Sequence, residues 1–233
     1  MSEPIPFPNF DPVALQIGPF AIRWYALAYI AGLLLGWAYI AWLMRRPPKV
    51  MSRDELGDFL TWAVVGVIVG GRLGYVSMYK PAYFLFHPLE ILFVWQGGMS
   101  FHGGLLGVAV AIVLFARRRE LALLPVADLI ACAAPIGLLL GRIANFINGE
   151  LFGRPTDAPW AVVFPGGGAQ GRHPSQLYEA ALEGLVLFAL LFALARFTRA
   201  RAQHGLLTGV FLAGYGTARM AVEIFRQPDA HLG

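Results

Sequence analysis

Charge is scarce in this chain: of 233 residues, 14% are charged and 58% are apolar. A soluble globular domain carries about a quarter charged residues, so that class is excluded. There is one cysteine, Cys132, which rules out an internal disulfide and any cysteine-rich metal site. It lies among alanines in an apolar run and is expected to be a small buried packing residue. The five histidines show no HExxH or other ligand spacing, so no metal and no other cofactor is implied. No GxSxG and no paired catalytic aspartates occur, which places an intramembrane hydrolase low among the readings. No repeat of fixed period is present. The net charge is +4 and the pI about 9.5. The basic residues flank or interrupt apolar runs instead of forming an exposed stripe, so no nucleic-acid partner is expected. Positive charge is also missing from residues 1 to 17, the first basic residue being Arg23. A cleaved signal peptide needs a basic start, so the first apolar segment is expected to be retained.

What the chain has in quantity is long apolar runs, with a mean hydropathy of +0.61. Each membrane helix needs about 20 such residues. The runs predict spans over roughly Phe20 to Met44, Phe59 to Tyr79, Ser100 to Ala116, Leu121 to Phe146, Leu177 to Ala195 and Leu206 to Ile224. The expected fold is all-α, a polytopic membrane helix bundle of six spans, read as a single transmembrane domain over 1–233. Arg45, Arg46, Lys49 and Arg53 follow the first span, Arg117 to Arg119 the third, and Arg196, Arg199 and Arg201 the fifth. These are ten of the 18 basic residues, and the positive-inside rule assigns their loops to the cytoplasm. The N-terminus, the C-terminus and two connections then lie outside. The first, about 80–98, is apolar and aromatic but broken by proline and glycine, which predicts an interfacial or re-entrant arm. The second, about 147–175, has Pro155, Pro159, Pro165 and a glycine run around a strand-like WAVVF, which predicts a small extracytoplasmic head. Gly66-Gly70-Gly74, Gly103-Gly107 and Gly137-Gly141 read as close helix packing.

The polar residues inside these runs carry the functional signal. GRIANFINGELFGR, Gly141 to Arg154, closes the fourth run with an arginine, two asparagines and a glutamate. Arg142 and Asn145 are three apart and share a helix face, and Asn148-Gly149 is a natural helix stop. Arg23, Arg72, Arg142 and Arg219 all fall in the outer part of their helices. Snorkelling to headgroups is the plain reading of one such arginine; four at one level point to a site for an anionic head group, since guanidinium forks suit phosphate. Arg219 and Glu223, four apart, could also simply neutralise each other. His102, among glycines at the outer start of the third run, is either a structural hydrogen-bonding group or a proton acceptor. Tyr25 reaches this level from the first span, and Gln176, Tyr178, Glu179 and Glu183 from the fifth. At least one of the two glutamates is expected to face protein.

GRIANFINGELFGRPTDAPWAVVFP resembles the signature of the prolipoprotein diacylglyceryl transferases of the bacterial inner membrane. GPFAIRWYALAY, GGMSFHGGLLG, RHPSQLYEA and GYGTARMAVEIFRQPDA extend the likeness from about Gly18 to Ala230, in the family's order and spacing. The resemblance implies transfer of a diacylglyceryl group from phosphatidylglycerol to the lipobox cysteine of a prolipoprotein signal peptide, with release of glycerol-1-phosphate and the active site on the periplasmic side. It implies functional positions at Tyr25, His102, Arg142, Asn145, Glu150, Gly153, Arg219 and Glu223. Arg142 would hold the lipid phosphate with Arg219 as its partner. His102 is the candidate base, with Glu150 or a substrate-assisted route as alternatives. The family usually has seven spans where six are expected here, this sequence ending at Gly233. From the residues alone, the competing reading is an outward-facing transporter or channel for an anionic solute.

Overall fold

A computed structural model describes residues 4–227 apart from residue 9. Pro228 to Ala230, the end of the last quoted motif, lie outside the described residues. Among the described residues five helices are long and apolar enough to cross a membrane: Trp24–Leu43, Arg53–Met78, Phe101–Arg118, Leu123–Ile147 and Ser175–Phe197. Their outward faces are apolar and solvent-accessible, with Leu34, Val65, Leu105 and Leu185 all exposed, as lipid contact requires. The protein is a polytopic helical membrane protein. The sixth expected span is a helix, α8 (Leu206–Glu223), but it is not one of the five, because Arg219 and Glu223 dilute its apolar run.

The chain divides into two compact units, one joining the residues up to Ile40 with those from Asp128 onward, the other Ala41–Ala127. The first unit begins with strand β1 (Ile5–Pro6) and a hairpin of β2 (Val13–Ile17) and β3 (Phe20–Arg23). Gly18 takes φ +56° in the hairpin turn, a conformation glycine adopts without strain. This corrects the first predicted boundary: Phe20 to Arg23 are apolar enough to extend a helix on paper, yet they pair as a strand. Helix α1 starts at Trp24 and runs to Leu43. Helix α5 (Leu123–Ile147) stops where Asn148-Gly149 predicts, with Gly149 at φ +66°. The next span opens as α6 (Ser175–Glu179), passes through a π-helical stretch over Ala180–Val186, and continues as α7 (Leu187–Phe197). Asp128 on α5 caps α8, accepting hydrogen bonds from Gly205 N, Thr208 N and Thr208 Oγ1, each at 2.7 Å. It thereby satisfies donors that the start of any helix leaves open. Cys132 is fully buried, as expected of a packing residue.

The head belongs to this first unit. The WAVVF segment supplies strand β4 (Val162–Val163), which pairs in parallel with β1, while Phe7 packs against Phe146 and Phe164. Gly153 N donates to His173 O at 2.8 Å and Arg154 N to Phe225 O at 2.8 Å.

In the second unit, α2 (Arg53–Met78) starts earlier than its apolar run, because Ser52 and Glu55 form a reciprocal capping box that extends the helix through the charged turn. It packs on α4 (Phe101–Arg118) through small residues: a Cβ added at Gly74 would meet Gly103 Cα at 2.6 Å, and one at Gly70 would meet Gly107 Cα at 2.6 Å. The expected glycine packing holds for this pair. Asp58 on α2 pairs with Arg119 at the end of α4. Between them the arm consists of helix α3 (Pro81–Phe86) and two 3-10 turns, Pro88–Leu92 and Val94–Gln96. None is long enough to span, and Leu85, Phe86, Leu89, Leu92 and Trp95 are exposed.

Candidate active site

Three guanidinium groups converge on one carboxylate. Glu179, at the end of α6, is fully buried. Its Oε1 accepts hydrogen bonds from Arg219 Nη1 and Arg226 Nη1, each at 2.9 Å, and its Oε2 lies 3.1 Å from Arg142 Nη1. Arg142 Nη2 reaches Glu183 Oε2 at 3.5 Å, and Arg219 Nη2 pairs with Glu223 Oε2 at 2.7 Å.

Local structure explains the convergence. Gly184 sits beside Glu183 in the π-helical stretch, and a Cβ there would meet Leu139 Cα at 2.8 Å. The missing side chain lets α5 approach closely, and Arg142 lies three residues beyond Leu139 on the same helix face. A π turn inside an α-helix commonly marks a functional position; here it carries Glu183 to the same side as Glu179. Arg219 is presented by α8. Arg226 is aimed by the head: Arg154 Nε donates to Arg226 O at 2.7 Å, and Gly153 forms an antiparallel bridge with Arg226. Gly153 is buried at that crossing, where a Cβ would collide with Phe225 O and with His173 Cβ.

The charges balance: Arg142, Arg219 and Arg226 face Glu179, Glu183 and Glu223. The partners differ in access, however. Glu179 and Glu183 have no side-chain exposure, whereas that of Glu223 is 51%. A buried ion is stable only with its partner, so Glu223 is the counter-ion that an incoming anion can replace.

A second group lies past the end of α5. Asn145 Nδ2 and Asn148 Nδ2 both donate to Glu150 Oε1, at 2.8 and 3.3 Å. The Glu150 carbonyl accepts from Gln176 Nε2 at 2.6 Å. The carboxylate is therefore oriented through one oxygen, leaving the other available as an acceptor. Tyr25, in the first turn of α1, has its hydroxyl 3.2 Å from that of Tyr29.

His102 belongs to the other unit and is placed by it. It is exposed in the first turn of α4, just after the N-cap Ser100, whose side chain accepts from Gly103 N. Its ring meets Phe101 edge-on at 5.7 Å and makes no hydrogen bond within the described residues. The loop before it is clamped by Arg72, whose guanidinium donates to the carbonyls of Ile91 at 2.9 Å, Gly97 at 2.6 Å and Gly98 at 3.2 Å, and also to that of Glu90.

Two of the four outer arginines are placed differently from what the sequence predicts. Arg72 is buried with its donors engaged by backbone oxygens, so it is a clamp and not an open anion site. Arg23 is exposed at the end of β3, not on a membrane helix. Arg142 and Arg219 do come together, with Glu223, as expected. The hub itself is new: the sequence brings Glu179 and Glu183 to the level of the site, with at least one facing protein, but does not pair them with the arginines and gives no role to Arg226. A signal for Arg226 exists in its position three residues after Glu223 within FRQPDA.

The family model described as prolipoprotein diacylglyceryl transferase matches residues 12–233. A phosphatidylglycerol–prolipoprotein diacylglyceryl transferase of Paramagnetospirillum magneticum is 64% identical over 234 residues, covering 100% of this chain and 87% of the relative. The protein of the same name from Rhodospirillum rubrum is 61% identical, covering 98% of this chain and 84% of the relative. That from Azospirillum brasilense is 58% identical over 98% of this chain and 86% of the relative.

Proposed function

The chain belongs to the prolipoprotein diacylglyceryl transferase family, and from that premise we propose that it moves the diacylglyceryl group of phosphatidylglycerol onto the lipobox cysteine of a prolipoprotein. It does so as one transmembrane domain of a bacterial inner membrane, with the site on the periplasmic side. The observation that carries the proposal is the buried Glu179 with its three arginines, a cluster of guanidinium groups able to receive an anion.

The reaction asks for two things: a base for the thiol, because the thiolate is the nucleophile, and positive charge where the leaving phosphate gains its second negative charge. The thiol proton passes to the base. The sulfur attacks the glyceryl carbon and forms the thioether as the carbon–oxygen bond breaks. Glycerol-1-phosphate departs with the bonding electrons. Arg142 and Arg219 hold the phosphate diester, and Glu179 and Glu183 hold the arginines. The diester carries one negative charge, so taking the place of Glu223 keeps the centre neutral, and the extra charge of the transition state then finds Arg142, Arg219 and Arg226 already oriented. Tyr25, Asn145 and Gly153 complete the lipid site, Gly153 through its crossing with Arg226. His102 is the base in this reading; Glu150, oriented by two amides, is the alternative.

The test is incubation of the purified chain with phosphatidylglycerol and a lipobox peptide. Thioether-lipidated peptide and an equal amount of glycerol-1-phosphate are expected. A folded, lipid-loaded protein that forms neither product overturns the proposal. The transporter alternative has no support from the family match and would instead show anion flux in sealed proteoliposomes.

A further inference from the structure

The turn between α1 and α2 forms a pocket of about 320 Å³ built only from residues 41–53. Ala41, Met44 and Met51 give it an apolar side; Arg45, Lys49 and Arg53 give it a cationic one. No carboxylate of a described residue lies within 4.0 Å of those three cations. Of the nearby acids, Glu55 is engaged in the capping box with Ser52 and Asp58 with Arg119, while Asp54 is exposed in the first turn of α2. Three unpaired like charges around one cavity repel one another, and a cavity so arranged is relieved by an anion.

We propose that this pocket holds the headgroup of an anionic phospholipid, separate from the transfer site. Two spans end at the turn, so it lies at a membrane–water boundary whichever way the protein faces. A phosphate diester there meets two guanidinium forks and an ammonium, and the methionines receive the glycerol and the first methylenes of the chains. That apolar side selects a lipid over free phosphate, and basic pockets beside membrane helices are a recurring form of lipid recognition. None of the lining residues belongs to the arginine centre, and the proposal does not rest on the transferase reading.

The test uses the full chain purified in detergent, with bound lipid counted by native mass spectrometry. The probes are phosphatidylserine, phosphatidylcholine and inorganic phosphate. Wild type should retain phosphatidylserine over phosphatidylcholine, more weakly as salt rises, and millimolar phosphate should not displace it. Removing a cation should weaken retention about fivefold, and R45Q/K49Q/R53Q roughly a hundredfold. If the triple variant does not fold, the three single variants decide. Unchanged retention in the triple variant or in all three singles, equal retention of phosphatidylcholine, or displacement by phosphate each overturns the proposal.

Discussion

Arg142 and Glu179 meet at 3.1 Å, with the arginine side chain 16% exposed and the glutamate fully shielded. The same carboxylate carries Arg219 and Arg226, so one buried negative charge sets the positions of three positive ones.

Glu179→Gln keeps the shape of the side chain and removes that charge. Breaking a buried ion pair by deleting one partner costs about 3–5 kcal/mol, and here three guanidinium groups lose a counter-ion together. Thermal unfolding in detergent should show a large loss of stability, with activity lost in whatever fraction folds. Glu223→Gln, at a half-exposed carboxylate, should cost far less stability. Equal losses from the two substitutions would refute the hub.

Arg142→Lys retains the charge and loses the fork that reaches Glu179 and Glu183 together. Losing an oriented donor to a leaving phosphate lowers the rate roughly a hundredfold. Single-turnover transfer to a lipobox peptide measures it. Near wild-type turnover by a folded Arg142→Lys protein removes the phosphate role.

His102→Gln preserves a polar side chain that cannot take up a proton. With His102 as base, the variant should fold, bind phosphatidylglycerol and lose the chemical step. Its residual rate should climb with pH as hydroxide ionises the peptide thiol, a free cysteine being only a few per cent ionised near neutrality. A structural role for His102 would appear instead as lower stability and weaker lipid binding, with an unchanged pH profile.

The sequence was most legible where one physical rule dominates. Apolar run length located the spans, and glycine spacing located the contact of α2 with α4. It was least legible where the meaning of a polar residue depends on what another segment brings to it. Arg72 and Arg142 look alike near the ends of apolar runs, yet one meets the carbonyls of Gly97 and Gly98 and the other two carboxylates. Asp128 gave no cue, since capping a helix 77 residues away leaves no local pattern. The β2–β3 hairpin was hidden by its own apolarity, which both a strand and a membrane helix satisfy.

In the head, burial holds the His173 imidazole below the ordinary histidine range, with Nδ1 3.1 Å from Tyr178 Oη. A depressed folded value means that the unfolded chain binds the proton more readily, so the stability contribution is complete above about pH 6.5 and is lost as pH falls through the folded value. The thermal midpoint should drop on acidification, and His173→Asn should flatten that acid limb. An identical limb in the variant excludes His173 as its source.

The proposed orientation rests on the loops that hold ten of the 18 basic residues and is tested by labelling. Ala169→Cys, in the glycine-rich part of the head, should react in intact cells with an impermeant thiol reagent, and Pro47→Cys should not. The native Cys132 is buried and gives a low background. The reverse pattern would turn the protein over in the membrane.

The head is laced at both ends, with Ile5 donating its backbone N–H to Ala161 O at 2.7 Å and Gly153 bridging Arg226. During synthesis the first of these segments leaves the ribosome before any helix, and the last only after α8. A nascent chain halted between Glu179 and Arg219 therefore owns Arg142 and Glu179 but cannot present Arg219 or Arg226 to them. In such a chain the Glu179 carboxylate faces one guanidinium in place of three, so the arginine centre is assembled only once α8 and the segment carrying Arg226 have been made.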